Sequence, residues 1–453
     1  MTLLLAFGVL VVLLLLGTAA GKAMGMTRWG VPEALLAGAL GLLIAPGGPL
    51  PLLPQEVIRV WSELPLVLLT LVFGALLLAK PLPRIGLLWR PVASQLLLAL
   101  TLAFGQFLVG GLAVLLVLQP LLGAPPVMAA LIEVAYEGGH GSAAAMGPSY
   151  ARLGLESGES LGLAMATVGL LTATLVGGLV VVLGRNRCWL LASSLPVAQA
   201  SQPSTKTEGE ESDAPLSGRI VEGVQRWLPN VAFTGMAVLL GVLMLSGLQL
   251  LAGQIGGGFA LVIEGLPAFP LALLGSLVVR LILEKSGRAH WVVPAVQVRL
   301  GTLAADLLIT AATACLDLRL LAEQWLPLLV LAVAGLLWNV SVVLLLAPRI
   351  LPPNWFERGL VEFGQATGVA ASGLLLLTMV DPQDQGDALT PFSIKQLLLQ
   401  PFIAGGIITV VAPLAINGWG LRAWTGLCLG LVILWVGLGL WLGRSHQPAA
   451  QPP

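Results

Sequence analysis

Long apolar runs recur along this chain, each bounded by Pro, Gly or a basic residue, and their lengths set the first expectation. A helix rises about 1.5 Å per residue and the hydrocarbon core of a bilayer is about 30 Å thick, so one crossing takes about 20 apolar residues. Runs of that kind occupy 2–20, 62–79, 92–118, 159–184, 228–250, 268–284, 294–316, 325–348, 396–416 and 423–443. A shorter run at 31–45, VPEALLAGALGLLIA, carries Pro32 near its start and ends before Pro46. The pattern predicts an all-α polytopic membrane protein with eleven candidate spans. No basic residue precedes the first run, whereas secretory signals start with one; it reads as a first span followed by Lys22 and Arg28.

Two stretches, about 125–150 and 357–380, are apolar but broken by small and polar residues. Unpaired backbone at membrane depth is tolerated only inside protein or beside a watery cavity, so both read as re-entrant hairpins or discontinuous helices. A complete crossing with a glycine kink is the alternative for either. With the amino terminus outside and both stretches returning to their side of entry, eighteen Lys and Arg fall inside, Arg358 and Lys395 among them. Four fall outside: Arg59, Arg152, Arg319 and Arg422. That is the bias of cytoplasmic loops.

The stretch 188–226 contains PVAQASQPSTKTEGEESDAPLSGR, has no apolar periodicity and is rich in Ser, Pro and Glu. It is expected to be a flexible cytoplasmic linker between a first transmembrane repeat, 1–187, and a second, 227–420, with a final span and tail at 421–453.

Composition changes the picture only by closing off alternatives. Hydrophobic residues make up 57%, charged residues 10%, and mean hydropathy is +0.96, whereas soluble domains carry charge at about a quarter of positions. Formal net charge is +0 and no charged tract suits nucleic acid. Cys188, Cys315 and Cys428 have no paired spacing and His140, His290 and His446 are scattered, so neither a disulfide framework nor a zinc or other cofactor site is expected.

The broken stretches resemble each other. EGGHGSAAAMG at 137–147 matches EFGQATGVAAS at 362–372 at an offset of 225, pairing Glu137 with Glu362, Gly139 with Gly364, His140 with Gln365 and Ser142 with Thr367. In the proposed orientation one enters from outside and the other from inside, the inverted-repeat pattern of many secondary transporters. Helix breaks expose N–H groups toward anions and carbonyls toward cations such as Na⁺. Gly138, Gly139, His140, Gly141 and Ser142 are therefore candidates to hold a substrate carboxylate, and Gly364, Gln365, Thr367 and Gly368 form a matching set.

Carboxylates in apolar surroundings are costly unless a cation, proton or donor meets them. Glu133 and Glu137 share a helical face, Asp306 lies deep in its span and Glu362 opens the second break. Asp306, Glu137, Glu362 and Ser372 are the ion-coupling candidates. Packing histidines, interfacial carboxylates and structural salt bridges are the plainer readings of the same residues. Trp29, Trp61, Trp89, Trp227, Trp291, Trp325 and Trp355 sit near segment ends and read as interfacial anchors.

EGGHGSAAAMGPSYARLG resembles the GGHG region of sodium/glutamate symporters, VPEALLAGALGLLIA resembles their Pro-Glu-containing second span, and FGQATGVAASGLLLLTMVDP is similar to the second-half signature of divergent members. The resemblance implies Na⁺-dependent uptake of glutamate or a related small carboxylate, with no enzymatic activity. It also implies a homodimer in a bacterial-type plasma (inner) membrane and a mobile transport domain moving against a scaffold. Better-known members carry a histidine and more glycines at the second site, where this chain has Gln365 and Ala366. A sodium/proton antiporter using Asp306 and a hairpin carboxylate is the alternative. An intramembrane hydrolase is disfavoured because no spacing fixes a catalytic triad.

Overall fold

The computed structural model describes residues 2–25, 33–79, 89–190, 216–256, 260, 263, 266–316, 318–382 and 384–444. Its helices are α1 (Thr2–Met24), α2 (Glu33–Ile44), α3 (Gln55–Leu76), α4 (Trp89–Ala113), α5 (Leu131–Tyr136), α6 (Gly139–Arg152), α7 (Gly158–Asn186) and α8 (Leu216–Ile255). They continue as α9 (Phe269–Lys285), α10 (Pro294–Ala314), α11 (Trp325–Ser341), α12 (Trp355–Thr367), α13 (Ala370–Val380), α14 (Leu389–Leu399), α15 (Ile407–Trp419) and α16 (Leu421–Arg444). Among the described residues, eight helices are long and apolar enough to cross a membrane. The run at 31–45 forms the short α2, and 268–284 forms the 17-residue α9. Helix α8 starts at Leu216, inside the stretch expected to be irregular; residues 191–215 lie outside the described ones, as do Trp29 and the side chain of Trp89.

The helices assemble in two groups. α1, α2, α3, α8, α9 and α10 pack on one another, with Ala6, Leu10, Val57, Trp61 and Ala311 in one of their cores. α4, α7, α11, α16 and the broken segments form the other, around a large core that includes Phe107, Ile132, Tyr136, Met165 and Leu331. Trp61 is a correction to the anchor reading. It is fully buried and its Nε1 donates to the Ala6 carbonyl at 3.0 Å, tying α3 to α1.

Both broken stretches fold as helical hairpins. In the first, a 3₁₀ turn (Pro126–Ala130) leads into α5, and α6 returns. α7 records the reversal: Gly162 packs against Leu131 and Ala143, Gly169 against Tyr136, Gly147 against Glu159 and Gly158 against Tyr150. The α5 arm therefore runs parallel to α7 and the α6 arm antiparallel to it. In the second, α12 and α13 pack closely, with Gly364 against Gly373, while Asn354 Nδ2 reaches Gly386 at the base. That base sits at the far end of α7, where Phe356 meets Gly184 and Arg185 donates to the Met379 carbonyl at 2.7 Å. The hairpins thus enter from opposite ends of one helix.

A second mark of the repeat is absent from the sequence pattern. α4 and α11 each widen into a π-helical turn, Val114–Leu118 and Val342–Leu346, shortly before the hairpin that follows. These turns stand 228 residues apart, and the tip residues Gly138 and Gly368 stand 230 apart. The offset of 225 read from Glu137 and Glu362 is therefore about one helical turn out of register. Glycine- and alanine-rich text matches itself at several shifts, whereas the breaks have one spatial equivalence.

The run at 396–416, expected to be one span, is not one helix. α14 ends at Leu399, the chain unwinds over 400–406, and α15 resumes at Ile407. Pro401 has no N–H to give, and Ala404 (φ 57°) and Gly405 (φ 91°) take left-handed backbone, which stops a helix. Lys395 and Arg358, placed in cytoplasmic loops by the charge pattern, are instead buried. The sequence-based tally keeps its sign without them.

Candidate functional site

The two hairpin tips meet halfway along α7. Gly169 lies directly against both the Tyr136 ring and the Thr367 carbonyl, leaving no room for a side chain. At the first tip Gly139 has φ 70°, a left-handed conformation that suits glycine, and a Cβ there would stand 3.1 Å from Val369 Cγ1 of the second tip. At the second, Gly368 and Val369 leave helical geometry between α12 and α13. Gly405 of the third break presses on Ser142. Three interruptions of regular helix converge on one place.

A cavity of about 240 Å³ opens there. One wall is the first tip, Glu137 to Ser142, which places Gly138, Gly139, His140, Gly141 and Ser142 together as the sequence suggested. Gln365 and Val369 come from the second hairpin, and Gln396, Gln400 and Ala404 from the third break. The opposite wall is apolar and belongs to the other helix group: Leu69 and Phe73 of α3, Ala305 and Leu308 of α10. The cavity thus lies between the two groups.

The polar groups in and behind its walls fall into satisfied and unsatisfied sets, and Thr367, Gly368, Ser372 and Glu133 stand behind the lining rather than in it. His140 Nε2 is 3.0 Å from Thr167 Oγ1 on α7. Thr367 Oγ1 accepts from Asn339 Nδ2 at 3.1 Å, and the Ala366 carbonyl accepts from Asn339 Nδ2 and Gln106 Nε2 at 2.9 and 2.6 Å. These bonds occupy the carbonyl end of α12. Glu133 Oε1 accepts from the Ala404 N–H at 3.1 Å and the Thr409 hydroxyl at 2.8 Å. Against these, Glu133 Oε2, Glu137 Oε2 and Ser372 Oγ are buried without a partner. A carboxylate oxygen left bare in low dielectric calls for a cation or a proton.

Two coupling candidates stand elsewhere. Glu362 is bound on both oxygens, Oε1 accepting from Gln95 Nε2 at 2.8 Å and Oε2 from Lys395 Nζ at 2.9 Å, so it holds a structural ion pair. Asp306 is half-buried on the face of α10 that meets α2, with Glu33 as an electrostatic neighbour, and is not among the residues lining the cavity. Gly364 packs against Gly373 inside the second hairpin rather than lining the cavity. The cause is register: Glu362 and Gly364 lie on the α12 arm, below the tip at Gly368 and Val369.

Sequence reasoning passed over the third break entirely. Lys395 Nζ donates to Glu362 Oε2, to Gln365 Oε1 at 3.2 Å and to Gln396 Oε1 at 2.9 Å. From there amides run in line: Gln365 Nε2 to Gln396 Oε1 at 2.7 Å, Gln396 Nε2 to Gln400 Oε1 at 3.3 Å, and Gln400 Nε2 to the Ala404 carbonyl at 3.1 Å. The signal was present, because Gln396, Gln400 and Ala404 recur every four residues on one helical face within an otherwise apolar run.

Opposed hairpins whose tips close on a cavity between two helix groups are the arrangement of many secondary transporters. The sodium/glutamate symporter family model matches residues 1–351, and the chain belongs to that family. The match includes the first hairpin and ends before the second, which begins at Trp355. No curated protein matches the chain. Among solved structures, the sodium proton antiporter MjNhaP1 from Methanocaldococcus jannaschii, at pH 8, is similar at 16% identity and a TM-score of 0.37. That alignment spans 98% of this chain and 99% of the other. Likeness at that level carries no argument about mechanism. Family membership makes the protein a Na⁺-coupled symporter rather than an enzyme.

Proposed function

We propose that the protein carries glutamate or a related small carboxylate together with Na⁺, and that the substrate binds in the cavity where the hairpin tips meet. The carrying observation is the meeting of Gly139 and Val369 at the junction of hairpins from opposite ends of α7. The exposed backbone of the first tip, with His140 and Ser142, receives the substrate, and Gln365 completes the pocket from the second. Ser372 Oγ, buried and unpartnered behind Gly368, supports Na⁺ binding near the second tip. Withdrawal of one hairpin at a time then exposes the site to alternate sides, while the α3 and α10 wall stays in place.

The same reading places the chain in a bacterial-type inner membrane as a homodimer, with the central loop cytoplasmic. It divides the chain into repeats at 1–187 and 227–420, joined by 188–226. The antiporter alternative relied on Asp306 beside a hairpin carboxylate, and Asp306 lies outside the cavity lining. Purified protein in proteoliposomes, given labelled glutamate and an inward Na⁺ gradient, tests the proposal. Gradient-dependent accumulation is expected, and equal uptake with and without the gradient would sink it.

A further inference from the structure

One line of hydrogen bonds runs from the second hairpin through the third break to the first hairpin, and every link points the same way. Lys395 Nζ donates to Gln396 Oε1 at 2.9 Å, Gln396 Nε2 to Gln400 Oε1 at 3.3 Å, and Gln400 Nε2 to the Ala404 carbonyl at 3.1 Å. The peptide joining Ala404 to Gly405 carries it on: the Gly405 N–H donates to Thr409 Oγ1 at 3.1 Å, and the Thr409 hydroxyl to Glu133 Oε1 at 2.8 Å. Gln365 enters from the side, its Oε1 accepting from Lys395 at 3.2 Å and its Nε2 donating to Gln396 Oε1 at 2.7 Å. The line starts at an ammonium and ends at a carboxyl oxygen.

A carboxamide fits its place with either end forward unless a neighbour forbids one of them. Here groups that cannot reverse stand at both ends of the amides. Lys395 can only donate, so the oxygens of Gln365 and Gln396 turn toward it. The Ala404 carbonyl can only accept, so the nitrogen of Gln400 turns toward that. Gln365, Gln396 and Gln400 line the cavity, and each keeps a second N–H beyond the one already spent. Lys395 itself is not among the lining residues, and its three donors go to Glu362, Gln365 and Gln396.

We infer that Lys395 is a positioning residue for substrate binding: without touching the substrate, it fixes the direction of the three glutamines so that they meet an anionic group with N–H donors rather than with carbonyl oxygens. This rests on the cavity being the substrate site. An ion pair with Glu362 takes only one of the ammonium protons, and the other two set the amides. A charged donor at the head of such a line also polarises the bonds that follow it. The sign of the cavity wall is thus imposed from behind.

Stability and positioning part company in one double variant. Lys395→Met, or Lys395→Leu, together with Glu362→Gln leaves no bare charge in the pair, so the unfolding midpoint recovers, yet nothing holds the amides in one direction. Lys395→Arg keeps the charge and the donors. Initial rates of Na⁺-driven uptake into proteoliposomes are measured against the concentration of L-glutamate, L-aspartate and succinate. The double variant is expected to need about 10- to 150-fold more substrate for half-maximal uptake, the range of hydrogen bonds to a charged group, with a maximal rate close to that of the wild type. Lys395→Arg is expected to retain most of the affinity. A double variant that half-saturates at the wild-type concentration would overturn the inference and leave Lys395 a structural partner of Glu362. So would a Lys395→Arg variant of wild-type unfolding midpoint that binds as weakly as the double variant. No uptake of any of the three compounds by the wild type sinks the proposed function and this inference with it, whereas wild-type uptake with an unaltered double variant sinks this inference alone.

Discussion

Lys395 Nζ stands 2.9 Å from Glu362 Oε2, each side chain about 1% exposed, and this pair joins the second hairpin to the half-helix α14. Breaking a buried pair leaves one bare charge, which typically costs about 3–5 kcal/mol. Lys395→Met and Glu362→Gln should each lower the thermal unfolding midpoint of the purified protein markedly, and the double variant should recover much of the loss. A loss in the double variant equal to the sum of the two single losses would mean that the two groups do not act as a pair.

At the first tip, Gly139→Val combines left-handed backbone with a close approach to Val369. The strain is about 1–3 kcal/mol, and it falls on the tip alone. Uptake should collapse while the variant still elutes as folded protein; wild-type uptake would count against the tip as the site.

Gly169→Ala adds a methyl group between the Thr367 carbonyl and the Tyr136 ring. Overpacking of this kind costs about 1–3 kcal/mol. Both hairpins are affected, so the unfolding midpoint and Na⁺-driven uptake should fall together, measured on the same preparation.

Asp306→Asn should leave the Na⁺ concentration for half-maximal uptake unchanged, because Asp306 faces α2 rather than the cavity. A shifted Na⁺ dependence would return Asp306 to the coupling machinery.

Trp61→Phe removes the bond from Nε1 to the Ala6 carbonyl and keeps most of the buried ring. Stability should fall by about 1 kcal/mol, seen as a lower unfolding midpoint with unaltered substrate affinity.

Eight of the eleven expected spans and the first tip were legible because both depend on local text: run length for the former, and the cluster from Gly138 to Ser142 for the latter. The second tip was found to within one turn, since the length of α12 before its break depends on packing against α13 and α7, which no single window encodes. The break at 400–406 was hidden by its own composition. Its Phe402, Ile403 and Ala404 are as apolar as the helices around them and mask the local breakers Pro401 and Gly405, while the bond from the Ala404 N–H to Glu133 that holds the unwound backbone is far off in sequence. Lys395 was misplaced for a related reason: a cation beside an apolar run resembles a loop charge until Glu362 is brought next to it.

Because both hairpins rest on α7 at Gly169, through Tyr136 and Thr367, they share one reference point. Sliding that helix along its axis would carry its contact surface toward one hairpin base and away from the other. Under the proposed alternating access, a single displacement would then act in opposite senses on the two hairpins, with no separate signal needed to keep them from opening together.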